Sequence, residues 1–208
     1  MMSRMRIYTW IVPVIFLFGW QTAGIAEESA ATGSQGAISV INTFHTALLF
    51  TMQHAKSLGY RGRYTHLEPI IRENYDFPKV VRVTAGKYWR DLNHDQKVQF
   101  LHIFSHLVIA TYAHRFDGYS GESFQTVSTK ASGHGRMVVR TVLIKRDGSR
   151  VHLDYLLRQR KGQWRIINVV AQGVSDLALK RVEYTTVLRN QGFDALMVRL
   201  EEKIAQYE

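Results

Sequence analysis

The sequence predicts an α+β fold: a four-stranded antiparallel β-meander, covered by helices from both ends of the chain, around an apolar cavity. Three observations lead there. Four strand-like runs, at 122–130, 136–145, 150–158 and 163–172, follow one another across short glycine-bearing links. Their alternation gathers apolar side chains on one side of the sheet. The segments before and after them carry apolar residues at helical spacing.

The elements follow in chain order. Residues 1–6 hold two arginines, 7–20 are almost wholly apolar, and Gly24-Ile25-Ala26 sets small residues at the −3 and −1 positions of a signal-peptidase site. This predicts a signal peptide over 1–26, cleaved after Ala26; the alternative is an uncleaved anchor. Residues 27–36 are small and polar, a disordered lead-in to a single domain over 37–208. A helix over 37–58 is carried by Ile38, Ile41, Leu48 and Met52, widened by Phe44 and Leu49, and closed by Gly59. Residues 61–63 read as a basic loop. A second helix over 64–75 uses Leu67, Ile70, Ile71 and Tyr75, with Pro69 in its first turn. Pro78 opens a short helix that Gly86 ends. Asn93 caps a long helix, roughly 95–116, whose apolar residues surround it and so predict burial on most sides.

Within the meander, Met137, Val139, Thr141 and Leu143 share a face that Arg140 opposes. Val151, Leu153, Tyr155 and Leu157 share the next, opposed by His152, Asp154 and Arg158. The fourth run is apolar on both faces, Trp164, Ile166 and Val170 on one and Ile167, Val169 and Ala171 on the other, as suits an inner strand. Asp147-Gly148 fits a type I′ turn, Lys161-Gly162 a comparable one, and Ser132-Gly133-His134-Gly135 a looser link. A greasy face this broad needs helices or a ligand over it. Ser175 then caps a helix over 176–190, Gly192 interrupts, and Phe193, Leu196, Met197, Leu200 and Ile204 form an amphipathic terminal helix.

Composition narrows the chemistry. The 208 residues suffice for one domain with a sizeable core. There is no cysteine, so disulfides, zinc thiolates, thiol nucleophiles and a lipoprotein anchor are excluded. The formal charge of +10, less Arg4 and Arg6 in the leader, is +8, which favours anionic partners; export argues against nucleic acid. Arg160 and Lys161 cluster at one hairpin, as a solvated surface or as a docking patch.

No catalytic set emerges. His102 and His106 are four apart, but Ile103 stands where a metalloprotease pattern needs glutamate, so no metal site is expected. Leu177 breaks the nucleophile-elbow pattern around Ser175. Asp154 and Asp117 are the candidate general bases of a cone-like enzyme, with a salt bridge or solvated carboxylate the ordinary reading of Asp154.

Several blocks carry a family resemblance. Tyr75-Asp76-Phe77, the run 82–89 (Arg-Val-Thr-Ala-Gly-Lys-Tyr-Trp), Phe100 through Tyr112, the run 162–166 (Gly-Gln-Trp-Arg-Ile), Gly173-Val174-Ser175 and the run 192–196 (Gly-Phe-Asp-Ala-Leu) occur in the same order as in the MlaC family of periplasmic, toluene-tolerance lipid carriers, which the chain resembles. The blocks at 115–122 and 175–179 resemble its hopanoid-associated HpnM branch. The resemblance implies a curved, NTF2-like sheet with helices enclosing a deep cavity for acyl chains. It implies phospholipid or hopanoid-type cargo and no cofactor or enzyme activity. It also implies shuttling between an outer-membrane lipoprotein complex and an inner-membrane ABC transporter with an MCE-type subunit. Where the family commonly has an acid, Asn168 removes a charge. The expected cavity residues are Phe104, Val108, Tyr112, Met137, Val139, Leu153, Tyr155, Leu157 and Ile166; the competing readings are an enzyme on the same fold and a structural envelope protein.

Overall fold

The computed structural model describes the backbone from residue 23 and the side chains from residue 33, both through residue 208. Four helices come first: α1 (Ala23–Gln53), α2 (Ala55–Asn74), α3 (Phe77–Ala85) and α4 (His94–Arg115), with a 3₁₀ turn at Gly86–Arg90. Five strands follow, β1 (Ser123–Ala131), β2 (Arg136–Ile144), β3 (Arg150–Arg160), β4 (Gln163–Ala171) and β5 (Val174–Ser175), and α5 (Asp176–Ala205) closes the chain. The sheet is open and antiparallel, in the order β1-β2-β3-β4-β5. The α+β class and the meander are as predicted. The added strand β5 is the return arm of a two-residue turn whose Gln172 and Gly173 both have positive φ, 50° and 80°.

The expected leader lies outside the described residues as far as residue 22. Residues 27–36, expected as a disordered lead-in, belong to α1 instead. The stretch holds no proline, and Gly33 and Gly36 let the helix press on Trp164: a Cβ at Gly36 would stand 2.9 Å from the indole. Gly59 breaks the helical path as expected (φ 57°, ψ −176°), but the chain re-enters helix at once, so 61–63 is helical and not a loop. Arg63 holds this corner. Its guanidinium donates to the carbonyls of Ala113 (2.7 Å) in the last turn of α4 and of Ala55 (3.2 Å), just before the kink. Carbonyls near helix ends lack partners of their own, and a charged donor suits them. Because α2 begins earlier than the apolar pattern implied, Pro69 lies inside the helix, not in its first turn.

Other signals act as read. Asn93 and Gln96 form a reciprocal capping box on α4. Asp76 caps α3 by accepting from the Lys79 amide, with Pro78 in the first turn and Gly86 (φ 58°) at its end. Gly192 (φ 84°, ψ −176°) kinks α5.

Register confirms the face assignment of β2 and β3: Met137 pairs with Leu157, Val139 with Tyr155 and Thr141 with Leu153. On β4 the alternation fails. Leu156 pairs with Asn168 but Leu157 with Ile166, so Ile167 is an extra residue in a bulge. Beyond it every side chain changes face. Val169, opposite Tyr155, and Ala171, opposite Leu153, join Trp164 and Ile166 on the apolar side, while Val170 pairs with Asp154 on the other. The Asp147-Gly148 turn also differs from type I′. Only Gly148 has positive φ (79°), and Gly148 N–H bonds to Lys145 C=O (2.9 Å), making a longer hairpin with glycine at the left-handed position. Lys161 and Gly162 do both take positive φ, 50° and 79°.

Helix α1 lies against β1, β2 and β4; α2, α3 and α5 also reach β4, while α4 packs among α2, α3 and α5. The α4 residues Phe100, Ile103, Phe104, Leu107, Val108, Ile109 and Ala110 are all buried, as its all-round apolar pattern required.

Candidate functional site

The nine residues expected to line a cavity belong to one apolar cluster. Phe104, Val108, Met137, Val139, Tyr155, Leu157 and Ile166 are buried in it, and Tyr112 and Leu153 pack against it half-buried. They divide between two ends of an aromatic chain. At the sheet end, Phe44 of α1 meets Tyr155, Tyr112 and Tyr75 edge-on, with ring centroids 6.2, 5.1 and 5.9 Å away. Tyr75 stacks on Phe77, Phe77 meets Phe104, and Phe104 continues to Phe100 and Tyr184 among the helices. Edge-to-face packing adds roughly 0.5–1.5 kcal/mol per pair beyond burial.

Two polar pairs sit inside this apolar mass. The Tyr75 and Tyr112 hydroxyls are 2.6 Å apart, and the Tyr155 hydroxyl is 3.0 Å from His45 Nε2. His45 is 4% exposed and stacks on Phe124 of β1, 3.9 Å between centroids. Burial lowers its pKa to about 3, so the imidazole is neutral at ordinary pH. Burial likewise pushes the Tyr112 phenol up to about 12 and raises Tyr75 and Tyr155. The interior therefore presents neutral hydrogen-bonding groups and no charge at these four positions. The sequence reading passed over His45. Its signal was the spacing Ile41, Phe44, His45, Leu48, where a histidine takes a core-facing place in an otherwise apolar stripe.

The remaining candidates lie elsewhere. Asp154 stands on the polar face of β3, 3.6 Å from Arg140 Nε, and Asp117 is exposed after α4. Neither faces the cluster. His102 is exposed and His106 packs against Tyr64, and no group of three metal-ligating side chains occurs among the described residues. Arg160 and Lys161 are exposed at the β3–β4 hairpin. Ser175 caps α5 through the Ala178 amide. Asn168, the departure noted above, holds that same corner. Its Nδ2 donates to Ser175 Oγ (3.0 Å), and its Oδ1 accepts from Ser175 Oγ (3.2 Å) and Leu177 N–H (3.1 Å). An open groove of about 610 Å³ runs along α1 and α2 past Ser39, Thr43, Phe50 and His66; none of the nine expected residues lines it.

An open antiparallel sheet whose apolar face is roofed by helices, with neutral polar pairs inside, defines an α+β protein built around one large apolar interior. The MlaC protein family matches residues 42–202, and the chain belongs to that family. It is 26% identical over 144 residues to the intermembrane phospholipid transport system binding protein MlaC of Haemophilus influenzae, covering 67% of this chain. The match spans 65% of that relative's length. A solved phospholipid-binding protein from Ralstonia solanacearum, in complex with a phospholipid, superposes with a TM-score of 0.73 over 82% of this chain and 98% of that one. At 20% identity it establishes the shared fold.

Proposed function

We propose that this protein is a periplasmic lipid carrier and not an enzyme, holding the tails of a phospholipid or hopanoid-type lipid between the sheet and the helices. The observation that supports this most is the apolar sheet face, where Leu153 and Val169 are only half-buried beside Tyr155 and Leu157. Tails that complete their cover gain roughly 0.8 kcal/mol per buried CH₂. Membership of the MlaC family, and the phospholipid transport and phospholipid binding for which two similar proteins are named, support the same reading. The leader over 1–26 supplies export; N-terminal sequencing of the exported chain should begin at Glu27, and recovery of Met1 would refute cleavage.

Native mass spectrometry of the purified protein should detect bound lipid, and extraction should identify it. Leu153→Trp should lower lipid content while the protein stays folded, because in this reading the half-buried side chain faces the tails and not packed core. Unchanged lipid with a stability loss of about 1–3 kcal/mol would place Leu153 in packed core instead. Turnover abolished by Asp154→Asn or Asp117→Asn would favour the enzyme reading; lipid-free protein would favour the structural one.

The partners in this reading are an inner-membrane ABC transporter complex with an MCE-type subunit and an outer-membrane lipoprotein complex. Arg160 and Lys161 are their proposed docking cations. Rim charges act mainly on encounter rate and are screened over about 8 Å at physiological ionic strength. Arg160→Glu with Lys161→Glu should slow transfer to the inner-membrane partner and flatten its salt dependence, with lipid retention unchanged. A reconstituted transfer assay across a salt series reads both; no change in either quantity would return these residues to an ordinary solvated surface.

A further inference from the structure

Most exposed side chains on α5 are polar, but an apolar stripe runs along its start. Val174 (52% exposed), Leu179 (59%) and Val182 (68%) lie within nine residues, and Ala178 is exposed beside them. Ala178, Leu179 and Val182 fall on one helical face, three and four residues apart. The Asn168–Ser175–Leu177 hydrogen bonds anchor the start of this helix, so the stripe is held on a rigid element.

The stripe has a cationic flank. Helix α5 packs along α3 and the 3₁₀ turn. Arg181 lies toward Gly86, where a Cβ would stand 3.7 Å from its Nε. Arg82, Lys87 and Arg90, on those same two elements, are exposed. On the opposite flank, Asp176 is paired with Lys180, which leaves Glu183 as the nearby acid on α5.

An apolar helical stripe bordered by cations is the pattern of a helix that rests on an anionic lipid surface, its apolar face sunk a few ångströms past the head groups. We infer that the start of α5, with Leu179 and Val182 as the apolar wedge and Arg181, Lys87 and Arg90 as its cationic border, is a docking face for an anionic bilayer. The complementarity is of charge as well as polarity. A second copy bound symmetrically here would confront these cations with their own kind. The face lies at the far end of β4 from the Arg160–Lys161 hairpin, so bilayer contact and the docking proposed there use different surfaces. The inference concerns the outer surface and depends on the carrier reading only for its purpose.

The test is cosedimentation of the purified processed protein with vesicles of phosphatidylethanolamine and phosphatidylglycerol, against vesicles of phosphatidylcholine alone. Binding should favour the anionic vesicles and weaken at high salt. Each cation near such a surface is worth roughly a fivefold change in partition. Lys87→Glu with Arg90→Glu should therefore reduce anionic-vesicle binding by more than about tenfold. Leu179→Asp with Val182→Asp should abolish binding to both vesicle types. Circular dichroism checks that each variant is folded, and lipid content separates this inference from the carrier reading. Wild-type protein that carries lipid yet ignores anionic vesicles overturns the docking face alone. Equal binding by wild type and both folded variants, or retention only by an acidic protein and never by vesicles, overturns it as well.

Discussion

Asp76→Ala is expected to destabilise the fold by about 3–5 kcal/mol, the scale for stranding one member of a buried ion pair. Asp76 is 3% exposed and does three things at once. Its backbone N–H donates to Ile166 C=O (2.9 Å), tying the end of α2 to β4. Its Oδ1 accepts from the Lys79 amide (3.2 Å) and caps α3. Its Oδ2 receives Arg158 Nε from β3, a side chain only 27% exposed. Alanine keeps the first contact and loses the other two, leaving a largely buried guanidinium with no carboxylate. Asp76→Asn should recover about 1 kcal/mol of this, because an amide oxygen still caps the helix. Urea titrations of the three proteins decide it. A loss under about 1 kcal/mol for alanine would mean that water replaces the carboxylate at Arg158, and that the pair is not part of what joins helices to sheet.

The second large effect is a pH dependence centred on His45. Its folded pKa, about 3, lies below the unfolded value of 6.5. The unfolded chain therefore binds the proton first as pH falls. The contribution is fully present above pH 6.5 and is lost progressively down to about pH 3, with a limiting slope of about 1.4 kcal/mol per pH unit. His45→Phe removes the titration while keeping an aromatic ring against Phe124. It should cost stability at pH 7, since the Tyr155 hydroxyl loses its partner, yet flatten the decline between pH 6.5 and 4. Denaturant midpoints at several pH values measure both. A variant whose acid decline runs parallel to wild type would show that His45 reaches solvent when protonated. Lipid content over the same pH range would reveal whether opening around His45 also releases cargo.

The sequence carried much of this molecule on its surface. The four strands, the polar and apolar sides of β2 and β3, the caps at Asn93 and Ser175, and the breaks at Gly59, Gly86 and Gly192 are local events, set by residue type within a few positions. That the nine residues expected at a cavity would pack together was legible for a related reason: apolar side chains at the right period have to be buried somewhere, and here seven lie in one cluster with Tyr112 and Leu153 packed against it. What the sequence withheld depends on partners distant in the chain. The bulge at Ile167, which moved Val169 and Ala171 to the apolar face, exists only relative to β3. Helix at 61–63 is held through Ala113, fifty residues further on, and α1 extends through 33–36 because Trp164 lies against it. His45 became a buried neutral group through Tyr155, 110 residues away, and Asn168 became the latch of α5 through a helix that starts only after the chain has turned back. Local periodicity determines which side of an element is apolar. Which polar groups may then be buried is decided by tertiary packing, because a donor or acceptor out of water is tolerated only where folding brings it a partner.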